Sequence, residues 1–345
     1  MNDIFEVYLR EKEPQKKEKG YAWHTAIGLQ AVDGLKTSDY LIDTAKRNIE
    51  GDITFEEADR LIHSYNKENI SHTGNDRTEE ADKVSVRIAQ LISEKSFVMS
   101  PAQYISIHAR LFEGVYKHAG KIRDYNISKS EWVLDGDTVM YGGASDLRAT
   151  LDYDISQERD FSYKNLSLEQ TIKHLAVFIS RLWQIHVFSE GNTRTTAVFF
   201  IKYLRTLGFD VINDIFAENA WYFRNALVRA NYTNLQKGVH ETTEYLEAFL
   251  RNLLFGEKNE LKNRYLHISG TLEDPKCHDN SKNVTLDESV ILELIKTDPQ
   301  ITQERIASSI NKSSRTVKRT IDSLKAKGII SREGGKRFGY WKVNN

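Results

Sequence analysis

The strongest constraint on this chain's fold is a pair of helix signatures flanking the loop His186 to Thr196, HVFSEGNTRTT. Before it, Ser167 followed by Gln170 is a capping-box start, and Ile172, Leu175, Ile179, Leu182 and Trp183 recur at helical spacing. After it, the run from Arg194 to Leu207 is apolar on most faces and stops at Gly208, a residue suited to a left-handed cap. The spacing therefore predicts helix, loop, helix. His186 falls just past the first helix, and Gly191, Asn192 and Thr193 fall at the start of the second.

That placement has chemical consequences. The first amides of a helix lack intrahelical partners and carry about half a positive charge, so an anion is welcome there. Gly191 permits close backbone approach to a phosphate, Asn192 can brace the turn, and Arg194 offers a planar fork to further oxygens. A carboxylate beside phosphates needs a cation between them, which makes Glu190 a candidate Mg²⁺ ligand. His186 has the right intrinsic pKa to accept a hydroxyl proton at neutral pH. Each residue alone also has a structural reading, as a core histidine, a first-turn acid or a surface cation; their coincidence in one loop favours chemistry.

The loop resembles the signature of the Fic family, HxFx(D/E)GNxRxxR, at His186, Phe188, Glu190, Gly191, Asn192 and Arg194. The resemblance extends over roughly residues 85 to 255 and includes Gly120-Lys-Ile-Arg123. It implies that His186 is the base, Phe188 a buried anchor, Glu190 the Mg²⁺ ligand, and Gly191, Asn192, Thr193 and Arg194 the phosphate cradle. It further implies transfer of AMP from ATP to a Ser, Thr or Tyr hydroxyl of a protein substrate.

In this family a hairpin flap docks the target, and the segment Trp132 to Ser145 occupies its place. The residues agree: Trp132-Val133-Leu134 and Thr138-Val-Met-Tyr141 are β-prone runs around an Asp-Gly turn. Trp132, Val133, Tyr141 and Gly142 are the flap candidates. A surface hairpin without function reads equally well. The run Ala220 to Asn231 is similar to the helix bordering the adenosine, with Tyr222 and Asn231 as nucleotide-contact candidates.

One position departs from the family pattern. The second arginine of the signature would fall at 197, where the chain has Ala197. In complete motifs that arginine grips the terminal phosphate and receives the glutamate of an inhibitory helix. The stretch Ile27 to Ser38 is similar to that helix, but Asp33 stands where glutamate belongs and Leu29 where Ser or Thr belongs. Glu50 is a second inhibitory candidate, with Lys46 at its Ser/Thr position. The expectation is weakened or altered autoinhibition, or else a plain helical buttress, and the changed motif leaves the donor nucleotide open.

A second chemistry begins after residue 283. Apolar periodicity predicts helices over Leu286 to Ile295 and Thr302 to Ile310, and Ser313 or Ser314 caps a third running to Lys327. Gly328 to Val343 reads as two strands around a Gly-Gly turn. The set resembles a winged helix-turn-helix domain. Its third helix carries Arg315, Lys318, Arg319 and Lys325 against Asp322, and the wing adds Arg332, Lys336 and Arg337, a basic footprint of the kind that binds nucleic acid. Ser314, Arg315, Lys318 and Arg319 are the DNA-contact candidates; a protein-docking module is the alternative.

The expected architecture is mainly α: an inhibitory-like helical segment over 1–70, a helical catalytic core with a β-hairpin flap over 71–266, a linker over 267–283 and a winged helix over 284–345. The net charge of −1 confines any basicity to local patches. The single cysteine, Cys277, excludes internal disulfides and cysteine-rich metal sites. No apolar run suits a signal peptide or a membrane span, so a cytoplasmic location is expected. Expected partners are ATP, Mg²⁺, a protein substrate, DNA and a second copy of the chain in a homodimer. Two alternatives to AMP transfer stand beside it: a transferase using another phosphate-containing donor, and a transcriptional regulator that only senses nucleotide.

Overall fold

A computed structural model describes residues 5–10, 12–68, 77–209, 211, 214–269, 291, 294–295, 298–299, 301–309, 313–326, 330–333 and 340–343. The chain forms two compact units, Met1–Leu272 and Glu273–Asn345. The expected linker lies almost wholly outside the described residues.

The first unit is helical. Its N-terminal part holds α1 (Glu6–Leu9), α2 (Pro14–Gly28), a 3-10 turn (Leu29–Asp33), α3 (Asp39–Glu50) and α4 (Phe55–Glu68). Then come α5 (Thr78–Ser93), α6 (Pro101–Phe112), α7 (Leu147–Asp160), α8 (Leu168–Ile185), α9 (Asn192–Thr206), α10 (Ile215–Glu218), α11 (Ala220–Arg229) and α12 (Glu244–Phe255). Helix α9 is the core element: every residue from Asn192 to Leu204 is buried, and α5, α6 and α8 pack around it. It stops as expected, with Gly208 at φ 86° and Phe209 N–H returning to the Leu204 carbonyl at 3.2 Å. Helix α8 starts on the predicted capping box, both halves of which are formed.

The N-terminal segment packs into this unit through α2 against α5. Trp23 is fully buried and its indole N–H reaches Asn48 Oδ1 at 3.0 Å, so one side chain ties α2 to α3 while contributing about 3 kcal/mol of apolar burial. Asp82 of α5 accepts hydrogen bonds from the main chain and hydroxyl of Ser38, the cap of α3. These contacts place the 3-10 turn beside α9.

The flap departs from expectation. The Asp-Gly turn forms, with Asp135 at φ 56°, Gly136 at φ 85° and Asp137 N–H bonded to Leu134 O at 3.1 Å. The flanking runs do not pair as strands: Trp132–Leu134 is a 3-10 turn. Val133 and Leu134 are both fully buried, and adjacent residues of a strand would face opposite ways. Tight coiling lets both enter the core.

In the second unit α13 (Gln303–Ser309) and α14 (Ser314–Ala326) precede β1 (Ile330–Glu333) and β2 (Tyr340–Val343). The strands are antiparallel, with Ile330 opposite Val343 and Arg332 opposite Trp341. Ile291, Ile295, Ile306, Val317, Ile321, Leu324 and Trp341 form its core. No described helix is long and apolar enough to cross a membrane.

Candidate active site

Helix α8 ends at His186, which takes the left-handed conformation at φ 51° and ψ 57°. Such a φ is uncommon outside glycine and is held only by a surrounding that dictates it. The imidazole is 4 % exposed, with Nδ1 lying 3.2 Å from the Trp183 carbonyl. A carbonyl only accepts, so Nδ1 carries the proton and Nε2 keeps a lone pair. Burial pushes the imidazole pKa well below its ordinary value; the Lys129, Arg224 and Arg123 cations push the same way, against the Trp183 hydrogen bond. His186 is therefore held neutral. The Tyr141 ring lies 4.3 Å away, its hydroxyl donating to Glu131, whose buried carboxylate pairs with Arg224 at 2.6 Å.

The loop then closes on itself. Asn192 Oδ1 accepts from Phe188 N–H at 3.0 Å and its Nδ2 donates to the Phe188 carbonyl at 2.7 Å. Thr193 accepts from the Trp183 indole at 3.0 Å. Gly191, at φ 75°, caps α9, and a Cβ there would sit 2.4 Å from the Phe112 ring. The first intrahelical bond of α9 runs from Thr195 N–H to Gly191 O, which leaves the earlier amides for an anion.

Glu190 projects into solvent, 53 % exposed, and meets Lys129, three residues before the flap, at 3.1 Å. No cluster of three metal-ligating side chains exists among the described residues. A lone accessible carboxylate that already attracts a cation suits Mg²⁺, which keeps several waters and completes its shell with substrate phosphates.

Arg194 is wholly buried; its two terminal nitrogens are engaged, while its Nε has no hydrogen-bond partner among the described residues. Its Nη2 lies 2.8 Å from Asp33 and 2.6 Å from Glu80, its Nη1 donates to Gln30 at 3.0 Å, and its guanidinium stacks over Phe112 at 4.9 Å. Burial alone would raise the Glu80 pKa; the Tyr116 hydroxyl, Arg194 and Arg77 more than reverse this and hold it below the usual range. Asp33 thus reaches the remaining motif arginine, where Ala197 has replaced the other. Glu50 does not: it pairs with Lys16 at 2.7 Å and accepts from Tyr8.

The remaining candidates divide. Tyr222 is 2 % exposed and belongs to the core, the ordinary fate of an aromatic at helical spacing. Asn231 donates to the carbonyls of Ser180 and Leu227 and lines a 490 Å³ groove with Arg181, Gln184 and Thr242. Of the flap candidates, Trp132 is 43 % exposed, Val133 is buried, and Gly142 abuts α8, where a Cβ would stand 2.9 Å from the Ile185 carbonyl. In the second unit Lys318 and Arg319 are exposed on α14; the side chains of Ser314 and Arg315, and the whole of Lys336 and Arg337, lie outside the described residues. Lys325 and Arg332 stack on Trp341 at 5.1 and 4.9 Å.

Reasoning from sequence missed Glu80, Gln30, Lys129 and His108. Glu80 reads as a first-turn acid of α5, and its partner is 114 positions away. His108 gave no signal, yet it supports the loop. Gly120 N–H donates to its Nδ1 at 2.8 Å, so its Nε2 carries the proton given to the Glu190 carbonyl at 3.0 Å. The ring stacks on Phe188 at 3.7 Å, and burial lowers its pKa to about 4.

Residues 98–204 match the Fic/DOC family, and residues 288–340 match an HTH domain. The chain thus carries a Fic/DOC-family domain followed by a helix-turn-helix domain. Among solved structures it is similar to a Fic family protein from Desulfovibrio desulfuricans G20, with 12 % identity, coverage of 99 % of this chain and 91 % of that one, and a TM-score of 0.47. No curated protein matches the chain.

Proposed function

We propose that the chain is a protein adenylyltransferase, moving AMP from ATP to a hydroxyl of a protein substrate. The observation that carries this reading is a buried, neutral His186, its tautomer set by Trp183, in the same loop as a helix N-terminus whose cap, Gly191, has no side chain to occupy the first amides. The target oxygen attacks the α-phosphorus, the bond from that phosphorus to the β-phosphate oxygen breaks, and pyrophosphate leaves. His186 Nε2 takes the hydroxyl proton. The amides at the start of α9 offer partial positive charge to the phosphate oxygens. Glu190 would hold Mg²⁺, which neutralises phosphate charge when bound.

Arg194 can join this cradle only after Asp33 and Glu80 release it, so the described conformation is an inhibited one. The reading rests on both carboxylates lying within 2.8 Å of its Nη2. The absence of an arginine at 197 also favours a second reading, in which another phosphate-containing donor serves. The helix-turn-helix unit would bind DNA through Lys318 and Arg319, which bind without turnover if the loop only senses nucleotide. Salt-dependent DNA binding by the full chain tests that part.

Intact-mass spectrometry of the protein and of co-incubated lysate proteins, with Mg²⁺ and either α- or γ-labelled ATP in parallel, tests the rest. The expected gain is one AMP, with label from the α position only. His186→Ala should reduce transfer by about 10²–10⁴-fold, the usual contribution of a general base. Transfer surviving in that variant removes His186 from the mechanism.

A further inference from the structure

The carbonyl of His186 is held from outside its own loop. Arg123, 3 % exposed, donates from Nε to His186 O at 2.8 Å and from Nη2 to Gly142 O at 2.6 Å and Ile185 O at 3.4 Å. Its Nη1 donates to Tyr125 O, and its main-chain N–H reaches Val187 O at 3.0 Å. No carboxylate among the described residues pairs with it; every acceptor is a main-chain carbonyl. This differs from Arg194, the other buried arginine of the site.

Two of these carbonyls, Ile185 and His186, lie at the C-terminus of α8, where intrahelical donors run out and the helix dipole is negative. Gly142 belongs to the flap. A planar guanidinium with five donors can bridge both at once; a lysine ammonium, a compact charge on a flexible stem, cannot. The bridge also fixes the peptide of a residue held at positive φ, which would otherwise relax.

We infer, resting on the proposed transferase reading, that Arg123 is a positioning residue that sets the distance from the flap to His186 and holds the imidazole in its productive orientation. Its role is mechanical and electrostatic together. The groups facing His186 are the Lys129, Arg224 and Arg123 cations, the Tyr141 hydroxyl, and the Glu131 carboxylate behind Tyr141 and Arg224. Removing Arg123 takes away one of three cations that disfavour the imidazolium.

The two parts separate in two variants. Arg123→Lys keeps the charge and loses the fork: kcat should fall about 100-fold, as for a misplacement of about 1 Å, with KM for ATP nearly unchanged and the acidic limb of the pH–kcat profile in place. Arg123→Met loses both, so the acidic limb should also move to higher pH. Nitrogen-15 NMR of the His186 ring reads the same point without turnover: the Nδ1–H tautomer should dominate in the parent protein and give way to a mixture in both variants. A folded Arg123→Lys protein with kcat within threefold of the parent and an unchanged tautomer overturns the inference. Should neither the parent nor its Asp33→Ala variant, in which one clasp on Arg194 is removed, show transfer, the transferase reading fails, and the NMR comparison still decides the role of Arg123.

Discussion

The two ends of the loop from His186 to Arg194 are built on opposite electrostatic principles. At His186 the neighbours are cations and carbonyls, and the ring is kept neutral. At Arg194 the neighbours are two carboxylates, and the cation is fully compensated inside the protein. A neutral base next to cations is ready to accept a proton from an anion-bearing substrate. An arginine already paired twice is withheld from phosphate. On the proposed reading the loop is preorganised for proton removal while Arg194 is withheld from the nucleotide tail, and the element that withholds it is the 3-10 turn carrying Asp33, together with Glu80.

The contrast breaks first at Glu80. Removing one partner of a buried ion pair costs about 3–5 kcal/mol; Asp33 still faces Arg194 when Glu80 is removed, which puts the cost at the lower end, about 3 kcal/mol, and Glu80 is 10 % exposed against 26 % for Asp33. Glu80→Ala should lower the unfolding free energy by that amount in a denaturant titration. Asp33→Ala should cost only about 1 kcal/mol, because a more solvated pair contributes less. Asp33→Ala should also tighten ATP binding about tenfold, measured by calorimetry. Equal stability costs with unchanged ATP affinity would show that Asp33 is a buttress and not a latch.

His108 sharpens the other end. An unfolded histidine titrates near 6.5 and the folded ring near 4, so the unfolded chain binds more protons in between. Stability from this group is therefore complete above about pH 6.5 and is lost as pH falls toward 4, by roughly 3 kcal/mol in total. His186, shifted in the same direction, adds to the slope. Melting temperatures from pH 7.5 to 4.5 should fall in the parent and fall less in His108→Gln. A parallel fall in both proteins would assign the acid sensitivity elsewhere.

Legibility in the sequence followed the range of the interaction. The start of α8 and the stop of α9 were readable because a capping box and a glycine cap are local. The winged helix was readable because its periodicity and turn residues are contiguous. The flap's turn was read correctly and its strands were not: Asp135-Gly136 dictates its own geometry, whereas the burial of both Val133 and Leu134 is set by the core beneath. Asp33 was readable only as a degraded inhibitor, because nothing local reveals that its partner is Arg194, or that Glu80 shares it. His108 and Arg123 support the loop through main-chain carbonyls, which leave no residue signature, so Arg123 was readable only as part of Gly120-Lys-Ile-Arg123 and its partners were not.

The smallest expected effect lies between the two ends, at the Lys129–Glu190 pair. Its ammonium sits 3.1 Å from the carboxylate that would hold Mg²⁺, and both groups are partly solvated, so the pair is worth about 0.5–1 kcal/mol. A divalent ion must displace that ammonium. Lys129→Met should therefore lower the Mg²⁺ concentration for half-maximal nucleotide binding by about two- to fivefold, the ratio that energy corresponds to. The same change removes the cation that, after burial, most disfavours protonation of His186, so the acidic limb of the pH–rate profile should move upward while the Mg²⁺ requirement eases. A rise in the Mg²⁺ requirement would mean that Lys129 meets phosphate directly instead of competing with the ion. The positive character of the His186 end would then extend to the substrate itself.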